Sequence, residues 1–307
     1  MKRIDLLIID PERSFCANVP ADRQQVIHDG ELCVPGAWDD LAIRVPALID
    51  RLGQRISDIH VTLDSHHLLH IAHPMWYRAV DVNNLAPGSH PDPFTFMKNV
   101  NGEIIGHRLD TNTGEFVEIG KFKTTTLGLL PWTLDYLTAL EASNRYMHTI
   151  WPPHCLIGTP GATIVEPLFE SLLNWCREGC GYIDMVTKGS NPKTEHFSAL
   201  RAEVPDPMAP EETGINSRFL NTVMQADLIL LSGVAGSHCV ANTVTDMANQ
   251  FNDPNDPNNQ SDEFIKKCVL LEDAISPVPG LEHLQTDFVD AMTKRGMQKT
   301  TCADFLA

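Results

Sequence analysis

The chain has 307 residues, long for one average domain but compatible with a single α/β domain that carries insertions. Its content of 43% hydrophobic and 21% charged residues is that of a globular protein with a sizeable core, which excludes a chain disordered throughout. A formal charge of −17 argues against nucleic acid or an anionic membrane as the main partner.

The N-terminus, MKRIDLLIID, is basic and then apolar. Its apolar run is short, is broken by Asp5 and lacks a small-residue cleavage site, so it predicts a first β-strand and a cytoplasmic protein. No stretch approaches the ~20 apolar residues that cross a bilayer. The eight cysteines are scattered without CxxC spacing, and Cys176 and Cys180 have no matching pair for a zinc site. Most are expected to be reduced packing residues.

Short aliphatic runs at 4–10, 58–64, 181–187, 227–232 and 268–271 predict strands buried on both faces. Helical patterns lie near 38–53, 133–148, 162–178, 214–225, 239–251 and 284–295. This alternation predicts one α/β domain over 1–307, with a doubly wound, mostly parallel sheet and helices on both faces. Residues 74–131, rich in Pro, Asn and Gly, predict an insertion with a hairpin around Gly114. The polar run at 252–263 predicts a mobile surface loop. The missing Gly-x-Gly-x-x-Gly after the first strand excludes a dinucleotide-binding dehydrogenase.

The residues able to carry chemistry fall at strand ends, where such a sheet forms its ligand crevice. Asp10 closes the first strand, as a catalytic carboxylate or as a turn or cap residue. Asp64 closes the second; with His66 it offers one oxygen and one imidazole to a divalent ion, and His67, His70 and His73 follow. Solvated loops also carry such histidine clusters. His154 follows two stiffening prolines, which suits either a held ligand or an ordinary Pro-rich turn. Lys188 ends another strand, where its charge would favour a thiolate, unless it snorkels to the surface. Cys239 follows the small-residue turn GVAGSH at a helix start, which lowers a thiol's pKa and can hold an oxyanion; a buried inert cysteine is the alternative.

With these residues in place, the chain resembles the isochorismatase-like cysteine hydrolases, and within them the nicotinamidases. IIDPERSF, GELCVPGA, TKGSNPKTEHFSAL and above all GVAGSHCV carry the likeness, from residue 4 to about residue 275. The resemblance implies Asp10, Lys188 and Cys239 as catalytic triad. It implies a cis peptide between Val234 and Ala235 at the oxyanion site, and Phe15 and His73 beside the substrate. Asp-x-His and WPPHC further imply Asp64, His66 and His154 as ligands of one divalent metal ion, zinc first, with manganese or iron also compatible. The implied activity is hydrolysis of a small amide, nicotinamide to nicotinate and ammonia, through a thioester on Cys239. A related amidase acting on another amide, or a non-catalytic metal-binding or regulatory homologue, are the alternatives. Oligomers are common for this architecture, and a homo-oligomer stays open. The chain departs from the family at Glu12 and Ser14 (usually Gln and Asp), at Ser65 (usually Trp) and at His73 (usually Phe).

Overall fold

The aliphatic runs form the centre of the molecule, a computed structural model that describes residues 2–16, 30–143, 145–179, 181–250 and 262–307. In chain order the strands are β1 (Ile4–Ile9), β2 (Asp58–Asp64), β3 (Tyr77–Val82), β4 (Phe96–Val100), β5 (Glu103–Leu109) and β6 (Phe116–Thr124). They continue with β7 (His148–Thr149), β8 (Ile183–Lys188), β9 (Leu228–Val234), β10 (Cys268–Ser276) and β11 (Gln298–Thr300). The helices are α1 (Val45–Leu52), α2 (Leu130–Ser143), α3 (Glu166–Arg177), α4 (Pro210–Thr213), α5 (Ser217–Val223), α6 (Ala241–Asn249), α7 (Glu263–Lys267) and α8 (Glu282–Lys294). None of the helices is long and apolar enough to cross a membrane. The expected loop at 252–263 lies outside the described residues except for Asp262 and Glu263.

The main sheet has six parallel strands in the order β11-β10-β9-β1-β2-β8. Alternation of side chains along β1 explains why it is apolar throughout. Leu6 and Ile8 enter a core with Leu48 and Ile49 of α1 and Leu168 and Leu172 of α3. Leu7 and Ile9 enter the opposite core with Phe219 of α5, Val244 and Met247 of α6 and Phe288 of α8. Helices therefore cover both faces, as the sequence predicts. The winding reverses between β1 and its neighbour β9, and the crevice opens there at the carboxyl ends of the strands.

At the amino end of this sheet, His60 of β2 is buried between Asp5 of β1 (3.4 Å) and Asp184 of β8 (3.2 Å). Burial alone would lower the imidazole pKa, but the two carboxylates outweigh it and raise the value above 6.5. A raised folded-state pKa stabilises fully below the unfolded value and is lost as pH rises through the folded one. Denaturant midpoints are therefore expected to fall above pH 6.5 in the wild-type protein. His60→Gln should remove that pH dependence and lower the midpoint at pH 6.

The region following β2 folds into a second sheet, antiparallel, in the order β3-β6-β5-β4-β7. The β5–β6 hairpin is the one expected around Gly114, and Gly114 adopts φ 73° in its turn. The sheet also recruits residues beyond 131: α2 packs Tyr136, Leu137 and Leu140 against Trp76, Met97, Ile104 and Phe122. This small core closes against the main sheet through Trp151, which joins the core beneath the crevice.

Candidate active site

Asp10 follows directly on β1, Asp64 ends β2 and Lys188 ends β8, so the strand order alone gathers three charged residues in the crevice. Lys188 does not neighbour Asp10 in the sheet; β2 lies between, and Asp64 is its register partner. The lysine chain reaches across instead. Its Nζ donates to the His196 carbonyl at 2.9 Å and forms ion pairs with Asp10 Oδ2 at 2.9 Å and Asp64 Oδ1 at 3.1 Å. The Cys239 Sγ stands 3.6 Å from the same Nζ. All four side chains are buried.

Asp10 has φ 49° and is pinned from below: its Oδ1 accepts from the Thr62 hydroxyl at 2.6 Å. Burial raises its pKa, partly offset by Lys188. The Cys239 thiol is pushed well up, first by burial, with Lys188 opposing. Lys188 would be lowered by burial, yet Asp10, Asp64 and Cys239 hold it well above its ordinary value. The resting site therefore holds a thiol, a charged lysine and a carboxylate in a position to take the thiol proton.

Cys239 sits in a π-helical turn, Gly236–Val240, that runs into α6. The preceding Val234–Ala235 peptide is cis, at the position the resemblance implied. The Ala235 carbonyl accepts from the N–H groups of His238 (3.0 Å) and Val240 (3.1 Å), which anchors the turn around the nucleophile. Gly233, at φ 124°, brings β9 so close to β1 that a Cβ would lie 2.1 Å from the Ile9 carbonyl oxygen.

Beside the triad, Asp64 Oδ2 stands 3.0 Å from His66 Nε2 and 3.5 Å from His154 Nε2. Ligand atoms around a tetrahedral ion with bonds of ~2.1 Å are about 3.4 Å apart, so these three fit one divalent metal. Hydrogen bonding to carbonyls sets the tautomers. His66 Nδ1 faces the Gly189 carbonyl at 3.2 Å and His154 Nδ1 the Pro152 carbonyl at 2.8 Å. A carbonyl only accepts, so each Nδ1 donates, and each Nε2 is the nitrogen turned toward Asp64 that would give its lone pair to an ion.

His73 is held the same way, Nδ1 to the His67 carbonyl at 3.1 Å, and its Nε2 is buried without a partner. Its ring lies 5.3 Å from that of His66 and 5.6 Å from that of His154, and it does not line the substrate pocket. Burial, then His154 and His66, push its pKa down to about 2, which leaves a neutral donor. The donor atoms that close on one another are those of Asp64, His66 and His154, and His73 packs against the two imidazoles without joining that group. His70 and Glu195 lie near His66, but both ring nitrogens of His70 are spent on the Thr194 carbonyl and the Ala72 N–H. His70 is a strut. His73→Phe is expected to weaken metal retention by about tenfold, through the packing of His66 and His154, read by chelator competition; unchanged retention would show that His73 does not support the ligands.

The pocket in front of Cys239 is walled by Phe15, Val34, Trp151, Phe197 and Val278, with His154, Glu195 and His238 as polar points. The aromatic walls suit a small planar ligand. Several contributors carried no sequence signal of their own. Trp151 and Phe197 sit within motifs quoted for other residues, and Thr62, Glu195 and His238 act only once the chain is folded. Among the departures, Glu12 is buried, with both carboxyl oxygens unpartnered. Burial, then Asp10 and Asp64, raise its pKa well above the ordinary value, which favours the protonated form. Ser14 accepts from the Cys155 N–H at 2.9 Å and donates to Glu31 at 2.6 Å, which ties the first loop to the segment bearing His154.

No family model and no curated relative match the chain. Solved structures do. The yeast nicotinamidase Pnc1p, bound to the inhibitor nicotinaldehyde, superposes with a TM-score of 0.56 at 16% identity, covering 97% of this chain and 99% of that one. A nicotinamidase/pyrazinamidase of Acinetobacter baumanii gives 0.56 at 17% identity, covering 99% of this chain and 98% of that one. The chain has the nicotinamidase fold. The antiparallel sheet ends in β7, which leads directly to Trp151 and His154.

Proposed function

We propose that this protein is a metal-dependent cysteine amidohydrolase acting on a small planar amide, with nicotinamide as the first candidate. The observation that carries the reading is the 3.6 Å approach of Lys188 Nζ to Cys239 Sγ, with Asp10 on the same lysine at 2.9 Å. In this reading Asp10 takes the thiol proton, Lys188 favours the thiolate, and sulfur bonds to the amide carbon. The backbone N–H groups of Ala235 and Cys239 hold the oxyanion. The C–N bond breaks as Asp10 returns its proton to the leaving nitrogen, and ammonia departs. Water then adds to the thioester, the S–C bond breaks, and the carboxylate leaves with the thiol restored. Asp64, His66 and His154 would hold a divalent ion, which would supply a Lewis-acidic point for a heterocycle or a water.

A second reading keeps this chemistry and changes the amide. Glu195 favours it, since a pocket carboxylate disfavours a ligand that offers only an acceptor at that wall. The gathering of Asp10 and Cys239 around the buried Lys188 ammonium counts against a non-catalytic homologue. Ammonia release across nicotinamide, pyrazinamide, benzamide and aliphatic amides separates the readings. The proposal expects nicotinamide to lead in kcat/KM; a leading aliphatic amide would transfer the assignment to the second reading.

A further inference from the structure

Behind the substrate pocket lies a second, enclosed cavity. Trp151, Glu195 and Phe197 wall both spaces, and Tyr136, His148 and Glu203 close the far side of the inner one. The room it leaves for the centre of a water-sized body is about 10 Å³, enough for one. Four polar atoms face this region without a hydrogen-bond partner: Glu195 Oε2, both carboxyl oxygens of Glu203 and the Tyr136 hydroxyl. Tyr136 is wholly buried, Glu195 is 4% exposed and Glu203 9%. The other Glu195 oxygen is already used, accepting from the His196 N–H at 3.0 Å.

The local charge does not balance. Glu195, Glu203 and Asp246 bring three carboxylates. Arg145 answers Glu203 at 3.5 Å and Asp246 at 3.2 Å, and Arg201 answers Asp246 at 3.5 Å. Among the described residues these salt bridges reach Glu203 and Asp246 and none reaches Glu195, and a buried carboxylate without one is costly unless a partner or a proton arrives. Burial pushes Glu203 up to about 7, the behaviour of a carboxylate short of a counter-charge.

Charge decides what fits. The Tyr136 hydroxyl and one water bring three protons for the three carboxyl oxygens, but they bring no positive charge. An ammonium ion has the size of water, one positive charge and four N–H donors. We propose that this cavity binds one dehydrated monovalent cation, best matched by ammonium, held by Glu195, Glu203 and Tyr136. The site shares a wall with the pocket in which the proposed amidase would release ammonia. Its charge and acceptors do not depend on that reading. A groove on the other side shares Leu140, Tyr146, Met147 and His148 with the cavity lining.

The test is thermal unfolding of the metal-loaded protein in ammonium, potassium or sodium acetate at equal ionic strength. Ammonium at ten times its dissociation constant should raise the midpoint by about 2 °C over sodium. Glu203→Gln, which keeps the side-chain volume, and Tyr136→Phe, which removes one acceptor, should abolish or halve that rise. An equal rise in potassium supports the site and widens its ligand class to monovalent cations. Crystals soaked in thallium(I) acetate should show an anomalous peak between Glu195 and Glu203 that excess ammonium acetate removes. No ammonium-specific rise and no thallium peak, with water alone in the cavity, would overturn the proposal. If ammonium binds but no amide is hydrolysed, only the amidase reading falls.

Discussion

Lys188→Met is expected to lower folding stability by about 3–5 kcal/mol and turnover by about a hundred- to a thousandfold. The methionine fits the tunnel of the lysine chain, so packing changes little. The charge is what is lost. Asp10 and Asp64, both buried, would face each other with no cation between them, and the His196 carbonyl would lose its donor. Burial would then drive the Asp10 pKa higher, since Lys188 is the first group opposing it. The thiol would lose the one neighbour that favours its ionised form. Urea unfolding and ammonia release on the same preparation read both effects. Full stability with lost turnover would confine the lysine to catalysis, and the reverse would confine it to structure.

Asp10→Asn is expected to leave the fold intact and to lower kcat by about ten-thousandfold with little change in KM. The amide keeps the shape of the carboxylate and can still accept from the Thr62 hydroxyl, which now stands 2.6 Å away. It cannot accept the thiol proton or return one to ammonia. Because the thiol pKa is raised by burial, the thiolate does not form unaided at neutral pH. A rate that recovers steeply as pH approaches the thiol pKa would locate the lost function in proton transfer. A variant with near wild-type kcat would remove Asp10 from the proton path.

Most of the crevice was legible in the sequence because a parallel sheet places its ligands at strand ends. Asp10, Asp64 and Lys188 each close an aliphatic run, and Cys239 opens the helix after another, so the pattern that names the strands also names the site. His73 was legible as a histidine but not by its place: its ring packs beside those of His66 and His154, with one nitrogen held by the His67 carbonyl. The second sheet was legible at one hairpin alone. Its remaining strands are short, as in the two residues of β7, or polar, as in FMKNV of β4, and they acquire a core only when α2 folds over them. Glu195 and Glu203 lie in an irregular loop with no periodicity. The cavity they share with Tyr136 exists only across a contact between distant parts of the chain.

The most direct test of the account is ammonia release from nicotinamide by metal-loaded wild-type protein, by chelated protein and by Cys239→Ala. The account predicts steady release by the first, restored to the second when zinc or manganese is returned, and none from the third under either condition. Release by Cys239→Ala at a rate near the wild type would contradict a thioester on Cys239. A folded, metal-loaded wild type that releases no ammonia would contradict the assignment of nicotinamide.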